Sequence, residues 1–338
     1  MSEDRRIRCA VVGLSFRSPF GRARAVMETP NVELVAVCDI LEEPARAVGE
    51  EFEIPWYTDY EQMLAQDDIE MVFIATPDAD HAPQTIAALE AGIHVLCEKP
   101  MAISMDEVHA MLDAEAKSGC KLGINQVLRT NPRFAEAKRL ADSGYFGELF
   151  FGEADYVHNI SHLIRSGWRG DREQGHTPFV GGGCHMIDLL RWCMGDVAEI
   201  YAYGSKKCLS DGEYPFVDCA ISVLKFESGA CGKFGTTYAC RRPSFRNLML
   251  YGTKATYMSG RECDRIRLND RLDDIIRMEM PVKGHPYGPV IAGFAQAIID
   301  DTTPPISGRD VANSIAISLA GDQSIATGEP VKPERFEF

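Results

Sequence analysis

The chain has 338 residues, 45% hydrophobic and 25% charged, which is ordinary globular composition and enough length for two domains with their own cores. Its formal net charge of −15 argues against nucleic acid or an anionic membrane as partner, because neutralising phosphates takes clustered Lys and Arg. No apolar run in the sequence reaches the length of a membrane span, and "MSEDRRIRCAVVG" is charged and leads directly into a strand, so a cytoplasmic protein without a signal peptide is expected. The 11 cysteines are odd in number and show no repeated CxxC, which fits a reducing compartment. Cys9, Cys38, Cys97 and Cys219 fall in strand-like runs, where a thiol serves as a small hydrophobe.

From residue 7 to residue 125, short apolar runs alternate with amphipathic ones. "IRCAVVG", "VELVAVCD", "MVFIATP", "HVLCEKP" and "KLGINQV" read as strands. Between them, "GRARAVMET", "PARAVGEEF", "HAPQTIAALEAG" and "SMDEVHAMLDAEAKSG" read as helices, the last opening on a Ser104–Glu107 capping box. Strands apolar on both faces that alternate with helices predict a parallel sheet covered on both sides, a Rossmann-type α/β domain over residues 1–125. From residue 126 to 338 the pattern changes to long, partly alternating strands, "LFFGEADYVHNI", "VAEIYAYGSKK", "CAISVLKFES", "ACGKFGTTYAC", "RNLMLYG" and "ATYMSG", with "ESGA" and "GTKA" as hairpin links. They predict a second α/β domain with a large, open, mostly antiparallel sheet, helices on one face and a subunit partner on the other. Two helices near 288–300 and 308–327 close the chain, the last capped by Ser307 and Asp310.

Three places carry candidate chemistry. The turn "GLSFRSPFG" follows the first strand, where a dinucleotide fold takes a glycine loop; Gly13 fits, Ser15 stands at the second glycine position, and Asp39 ends the second strand, where it can accept from a ribose diol and repel a 2′-phosphate. In "CEKP", Lys99 follows a buried strand at its carboxyl end, the side on which open α/β sheets bind ligands, and can polarise a hydroxyl or carbonyl oxygen; the bland alternative is a surface lysine paired with Glu98. In "VGGGCHMIDLLRW", three glycines precede a helix starting near Gly183 or Cys184, on which His185 and Asp188 share a face. Glycines there permit close approach of backbone to a ligand. The competing reading is a histidine buried at a helix end, with Asp188 paired to Arg191 or to a cap.

Taken together these stretches resemble the Gfo/Idh/MocA oxidoreductases, relatives of glucose-fructose oxidoreductase and inositol dehydrogenase. The matching pieces are "AVVGLS", "VCD", "IATPDADHAPQTIAALEAGIHVLCEKPMA", "GWRGD", "GGGCHMIDLLRW" and "YGTKATY", in the family's order over nearly the whole chain. The resemblance implies NAD or NADP, of which Asp39 favours NAD, and, as is usual in the family, oxidation of a sugar or cyclitol hydroxyl. It implies that Gly13, Ser15, Asp39, Thr76, Pro77, His81, Glu98 and Lys99 surround the cofactor. It gives Lys99 and His185 the catalytic roles, and places Arg129, Trp168 and Arg169 against the substrate. Tyr156, His158, His162 and His176 are further polar candidates, Tyr156 for the substrate. The chain departs from the family twice: the glycine loop lacks its second glycine, and the acid expected four residues before His185 is Gly181.

The expected chemistry is hydride transfer between a nicotinamide and a secondary hydroxyl or keto group. A histidine titrating near ~6.5 suits the hydroxyl proton, Lys99 the developing alkoxide, and Asp188 the tautomer of the imidazole in place of the missing acid. Lys99 and His185 are expected to converge on one pocket, in a homodimer or homotetramer, with no metal. Two alternatives remain open on the sequence: oxidation–elimination of glycosides assisted by NAD or by a metal held by the histidines, and a non-catalytic NAD-binding regulator.

Overall fold

A computed structural model describes residues 5–14, 20–210, 212–260, 264–269, 275–278 and 285–337. The chain forms two compact units. One comprises Met1–Val127 with Pro286–Val311, the other Leu128–His285 with Ala312–Glu337. The single second domain expected from 126 to 338 is therefore corrected: residues 286–311 belong to the first unit.

The first unit holds β1 (Ile7–Val12), α1 (Phe20–Met27), β2 (Val32–Cys38), α2 (Glu42–Phe52), β3 (Trp56–Tyr57), α3 (Tyr60–Leu64), β4 (Met71–Ile74), α4 (His81–Glu90), β5 (His94–Cys97), α5 (Met105–Ser118) and β6 (Leu122–Ile124). The strands form a parallel sheet in the order β3-β2-β1-β4-β5-β6. This is the doubly wound arrangement, in which the order reverses between β1 and β4 and leaves a crevice beyond their carboxyl ends. Strand residues are buried on both faces, as the continuous apolar runs required. Cys9 and Cys38 lie in this core, and burial pushes both thiols up to about 12. Helix α5 keeps the Ser104 half of the expected box, Glu107 N donating to Ser104 Oγ at 3.3 Å, while Glu107 Oε2 accepts at 2.8 Å from Ile103 N, one residue before the cap, rather than from Ser104 N.

The returning segment packs on the same sheet. The ring of Phe294 covers Gly123 of β6, Asn31 Nδ2 donates to Ala292 O at 3.0 Å, and Ile124 N donates to Ile306 O at 3.1 Å.

The second unit holds α6 (Pro132–Asp142), β7 (Leu149–Val157), α7 (Ser161–Arg165), α8 (Cys184–Met194), β8 (Val197–Ser205), β9 (Cys219–Phe226), β10 (Cys231–Thr237), β11 (Phe245–Gly252), β12 (Thr256–Met258), β13 (Asp264–Arg267) and β14 (Ile275–Met278). Helix α9 (Tyr287–Ile299) lies in the first unit, and α10 (Gly308–Thr327), with Asp310 N donating to Ser307 Oγ, crosses into the second. The eight strands run β14-β13-β12-β11-β7-β10-β9-β8, all pairs antiparallel except β7 with β10. Helix α8 packs against β7 and β11. On β9 buried and exposed residues alternate strictly, so Ala220, Ser222 and Leu224 face the helix side while Cys219, Ile221 and Val223 face outward. Cys219 is thus an exposed thiol rather than a core one. The outward face is mixed: Tyr203, Ile221 and Val223 form an apolar patch toward β8, whereas Lys233 and Asp155 form an ion pair in the centre of the sheet.

Candidate active site

The predicted cofactor residues lie at the carboxyl ends of the strands of the first unit. Gly13 has φ +86°, and a Cβ there would come within 2.6 Å of the Ala75 carbonyl and 2.7 Å of Thr76 N. Only glycine lets β1 turn this tightly against the end of β4. Asp39 is buried just beyond β2, its Oδ2 accepting from Leu14 N at 2.7 Å and its Oδ1 from Leu41 N at 2.9 Å. Each carboxylate oxygen has two lone pairs, so an aimed acceptor beside a glycine turn fits the ribose diol of a dinucleotide. Ser15 lies outside the described residues. Thr76 Oγ1 donates to Gln84 Oε1 at 2.8 Å, and Pro77 precedes a single 3₁₀ turn, Asp78–Asp80.

His81 does not line this crevice. It is fully buried, with Nδ1 2.8 Å from Pro100 O and Nε2 3.1 Å from Thr76 O. Two carbonyl acceptors suit an imidazolium, which donates from both nitrogens. Burial opposes that charge, but Cys97, Asp78 and the Pro100 carbonyl outweigh it and raise the ring to about 10. The expectation that His81 touches the cofactor is corrected: it ties the end of β4 to the turn that carries Lys99. Glu98 is also occupied, accepting from Arg22 Nε and Asn125 Nδ2, each at 3.2 Å. Its charge is met by Arg22, so the half-buried Lys99 is not required to neutralise it.

In the second unit, a π-helical turn over Phe179–Gly183 runs directly into α8. A Cβ on Gly181 would lie 1.8 Å from Tyr238 Oη and 1.9 Å from His176 Nε2. One on Gly182 would lie 2.7 Å from the Tyr156 ring and 2.9 Å from His158 Nε2. The glycine run is needed because the protein's own rings close on the backbone there, which corrects the expectation that it leaves room for a ligand. It also explains the missing acid: the volume beside residue 181 holds a phenol and an imidazole. Tyr238 Oη accepts from Gly182 N at 3.0 Å, and Tyr214 Oη donates to His176 O at 2.5 Å. Thr177, at the start of the same turn, donates to Asp322 Oδ2 at 2.7 Å. Burial pushes the Asp322 carboxyl up to about 7 against the pull of that bond.

His185 is 2% exposed and sits among rings, its centroid 6.3 Å from Tyr156 and 5.6 Å from His285. Tyr156 packs edge-on against His158 at 4.4 Å and His158 edge-on against Tyr238 at 5.0 Å, while His176 lies tilted against Trp168 at 5.7 Å. Arg169 stacks on Trp168 at 4.2 Å. Tyr156, Trp168, Arg169 and His185 thus all belong to one neighbourhood of the second unit. His162, on α7, is exposed. Among the described residues no group of three or more His, Cys, Asp or Glu is arranged to hold a metal ion.

Asp188 and Arg129 depart from expectation together. Arg129 Nε donates to Asp188 Oδ2 at 2.8 Å and Nη2 to Oδ1 at 2.6 Å; Ser314 Oγ adds a third bond at 2.7 Å. The two residues are 5% and 1% exposed. Arg191 bonds Asp196 instead, at 2.8 Å. Asp188 is therefore corrected from a partner of His185 to the counter-charge of Arg129, and Arg129 from a substrate contact to the other half of a buried forked pair. Asp188→Ala would leave the guanidinium buried without its acid and is expected to lower stability by about 3–5 kcal/mol. A urea midpoint close to that of the parent chain would show that the pair carries no such charge.

A parallel sheet of this order, with a glycine turn and a strand-end acid, defines a dinucleotide-binding α/β protein. Residues 7–126 match the family model of the oxidoreductase family with an NAD-binding Rossmann fold, GFO_IDH_MocA, and residues 134–258 match the GFO/IDH/MocA C-terminal domain. The chain belongs to the Gfo/Idh/MocA oxidoreductases. It is 28% identical to the uncharacterized oxidoreductase YrbE of Bacillus subtilis over 92% of each chain. It is 24% identical to scyllo-inositol 2-dehydrogenase (NAD(+)) of the same organism over 97% of each. Its fold is that of aldose-aldose oxidoreductase from Caulobacter crescentus, with a TM-score of 0.87 at 22% identity, covering 97% of this chain and 100% of the other.

The histidine and glycine run were legible in the sequence. Tyr238 and Arg246 were not singled out, and His176 only as a loop residue. For Arg246 a signal existed: it has the parity of Leu248 and Leu250 on β11, which marks an inward-facing cation.

Proposed function

We propose that this oxidoreductase transfers a hydride between NAD and a secondary hydroxyl or keto group of a sugar, sugar derivative or cyclitol in the cytoplasm. The observation that carries the reading is the pairing of Gly13 with the buried, aimed carboxylate of Asp39 in a sheet that also ends, at β5, in Lys99. NAD, when bound, supplies the hydride acceptor. His185 takes the hydroxyl proton and Lys99 stabilises the alkoxide as it develops. Tyr156, Trp168 and Arg169 contact the sugar, for which an aromatic face and a guanidinium are suitable partners. The names of the relatives favour this class: one acts on scyllo-inositol with NAD. A screen of sugars and cyclitols with NAD and NADP, read at the nicotinamide absorbance, tests it. Cofactor binding without turnover on any polyol would favour a non-catalytic binder.

Asp39 is followed by Ile40, Leu41, Glu42 and Glu43, with no arginine to receive a 2′-phosphate. NAD is therefore expected to bind at least a few-fold more tightly than NADP. Equal or tighter NADP binding in a fluorescence titration would overturn this.

We also propose a homo-oligomer packed through the outward face of the large sheet. Tyr203, Ile221 and Val223 are 65%, 50% and 58% exposed, a cluster suited to burial against a second copy. Light scattering at micromolar concentration is expected to give a mass at least twice that of the 37.4 kDa chain. A Val223→Lys variant should reduce it.

A further inference from the structure

Arg246 stands where a cation is costly. It is the cross-strand partner of Tyr156, and its guanidinium lies over that ring with Cζ 5.6 Å from the centroid. It shares a face with Leu248 and Leu250, both fully buried under the helix side of the sheet, and is itself half-buried. Among the described residues it forms no ion pair. The acids nearest in register, Asp155 and Glu153, belong to the opposite face, where Lys233 and Tyr251 hold them. A guanidinium drawn into a ring-lined recess without a carboxylate gains most from an anion that arrives with the ligand.

The surroundings agree, although the chain as a whole is acidic. Arg169 contributes a second guanidinium, and His158, His176, His185 and His285 line the same neighbourhood with ring N–H groups and lone pairs for a ligand's oxygens. Among the described residues, position 181 is glycine, Asp188 is paired with Arg129, Asp218 accepts from the backbone N–H groups of Lys207, Cys208 and Leu209, and Asp322 accepts from Thr177 and is pushed up to about 7 by burial. A neutral polyol would leave the Arg246 guanidinium without a counter-charge. Arg246 and His185 both lie against the Tyr156 ring, the guanidinium Cζ 5.6 Å and the imidazole centroid 6.3 Å from its centroid, so the two groups share one neighbourhood.

We propose that the substrate is an anionic sugar derivative, its carboxylate or phosphate bound by Arg246 while the hydroxyl to be oxidised faces His185. This rests on the dehydrogenase reading above. The reaction balances as before: the secondary alcohol gives a hydride to NAD and a proton to the base, and leaves as the ketone with its anionic group unchanged.

Matched sets test it: glucose, glucuronate, gluconate and glucose 6-phosphate, with the galactose counterparts, each with NAD. The expected result is a kcat/KM at least tenfold higher for one of the charged members than for its neutral parent. Uronates or aldonates ahead of the phosphate identify a carboxylate, and the reverse order a phosphate. In Arg246→Gln, KM for the charged member should rise roughly 30–100-fold and the preference over the neutral parent should disappear, with Arg246→Lys intermediate. Neutral sugars turned over as well as or better than charged ones would overturn the proposal, as would an unchanged preference in Arg246→Gln. If no sugar is oxidised at all, the dehydrogenase reading fails, and the anion site is judged by melting temperature. Glucuronate or inorganic phosphate should then stabilise the parent chain most, a folded Arg246→Lys variant less and a folded Arg246→Gln variant not at all. Equal stabilisation of all three, or of none, rejects the site.

Discussion

Lys99→Ala is expected to lower turnover by about 10²–10³-fold, the usual loss when one group that stabilises developing negative charge is removed, while NAD binding is largely retained. The lysine follows β5 on the ligand side of the sheet, and its neighbour Glu98 already has Arg22 as counter-charge and Asn125 as donor. Glu98 keeps both partners when Lys99 is replaced, and the effect should fall on kcat rather than on folding. Steady-state kinetics combined with NAD titration by fluorescence separates the two. Full turnover in the alanine variant would remove Lys99 from the chemistry.

His185→Ala is expected to cost about 10²–10⁴ in kcat, the range for a general base in proton transfer. His185 sits at the first turn of α8, held from behind by the π-helical turn that Tyr238 bonds through Gly182 N. Losing the ring could also loosen its neighbours Tyr156 and His285, so His185→Gln, which keeps volume and a polar end, is the second variant. Loss of the acid limb of the kcat pH profile in both variants, with melting temperatures close to the parent, marks a proton acceptor. A lowered melting temperature with an unchanged pH profile marks a packing residue. If Lys99 and His185 act on one hydroxyl, the double variant should be far less impaired than the product of the single losses. Independent, multiplicative losses would separate their roles.

Much of this was legible from local pattern. The β1–β6 alternation, the glycine at the first turn, the acid ending β2, the Ser104 cap and the hairpins at 227–230 and 252–255 each follow from residues within a few positions of one another. That is the range over which strand period, turn geometry and capping operate. The short α3 and the strands β13 and β14 escaped notice because five-residue and four-residue elements carry little periodicity.

The sequence by itself determined the class: a dinucleotide-binding sheet followed by a long-stranded one. The tertiary structure decided which polar groups remain for chemistry. Asp188 shares a helix face with His185, yet its partner is Arg129, 59 positions earlier in the chain, because a buried acid and a buried guanidinium each need an opposite charge and the fold brings these two together. Gly181 looked like a lost carboxylate, but it is the space into which Tyr238 and His176 close, and no local pattern encodes which distant ring will fill a gap. Residues 286–311 read as the end of the second domain. They joined the first because the Phe294 ring fits over Gly123, and burial of that apolar surface depends on shape across the fold, not on position along the chain.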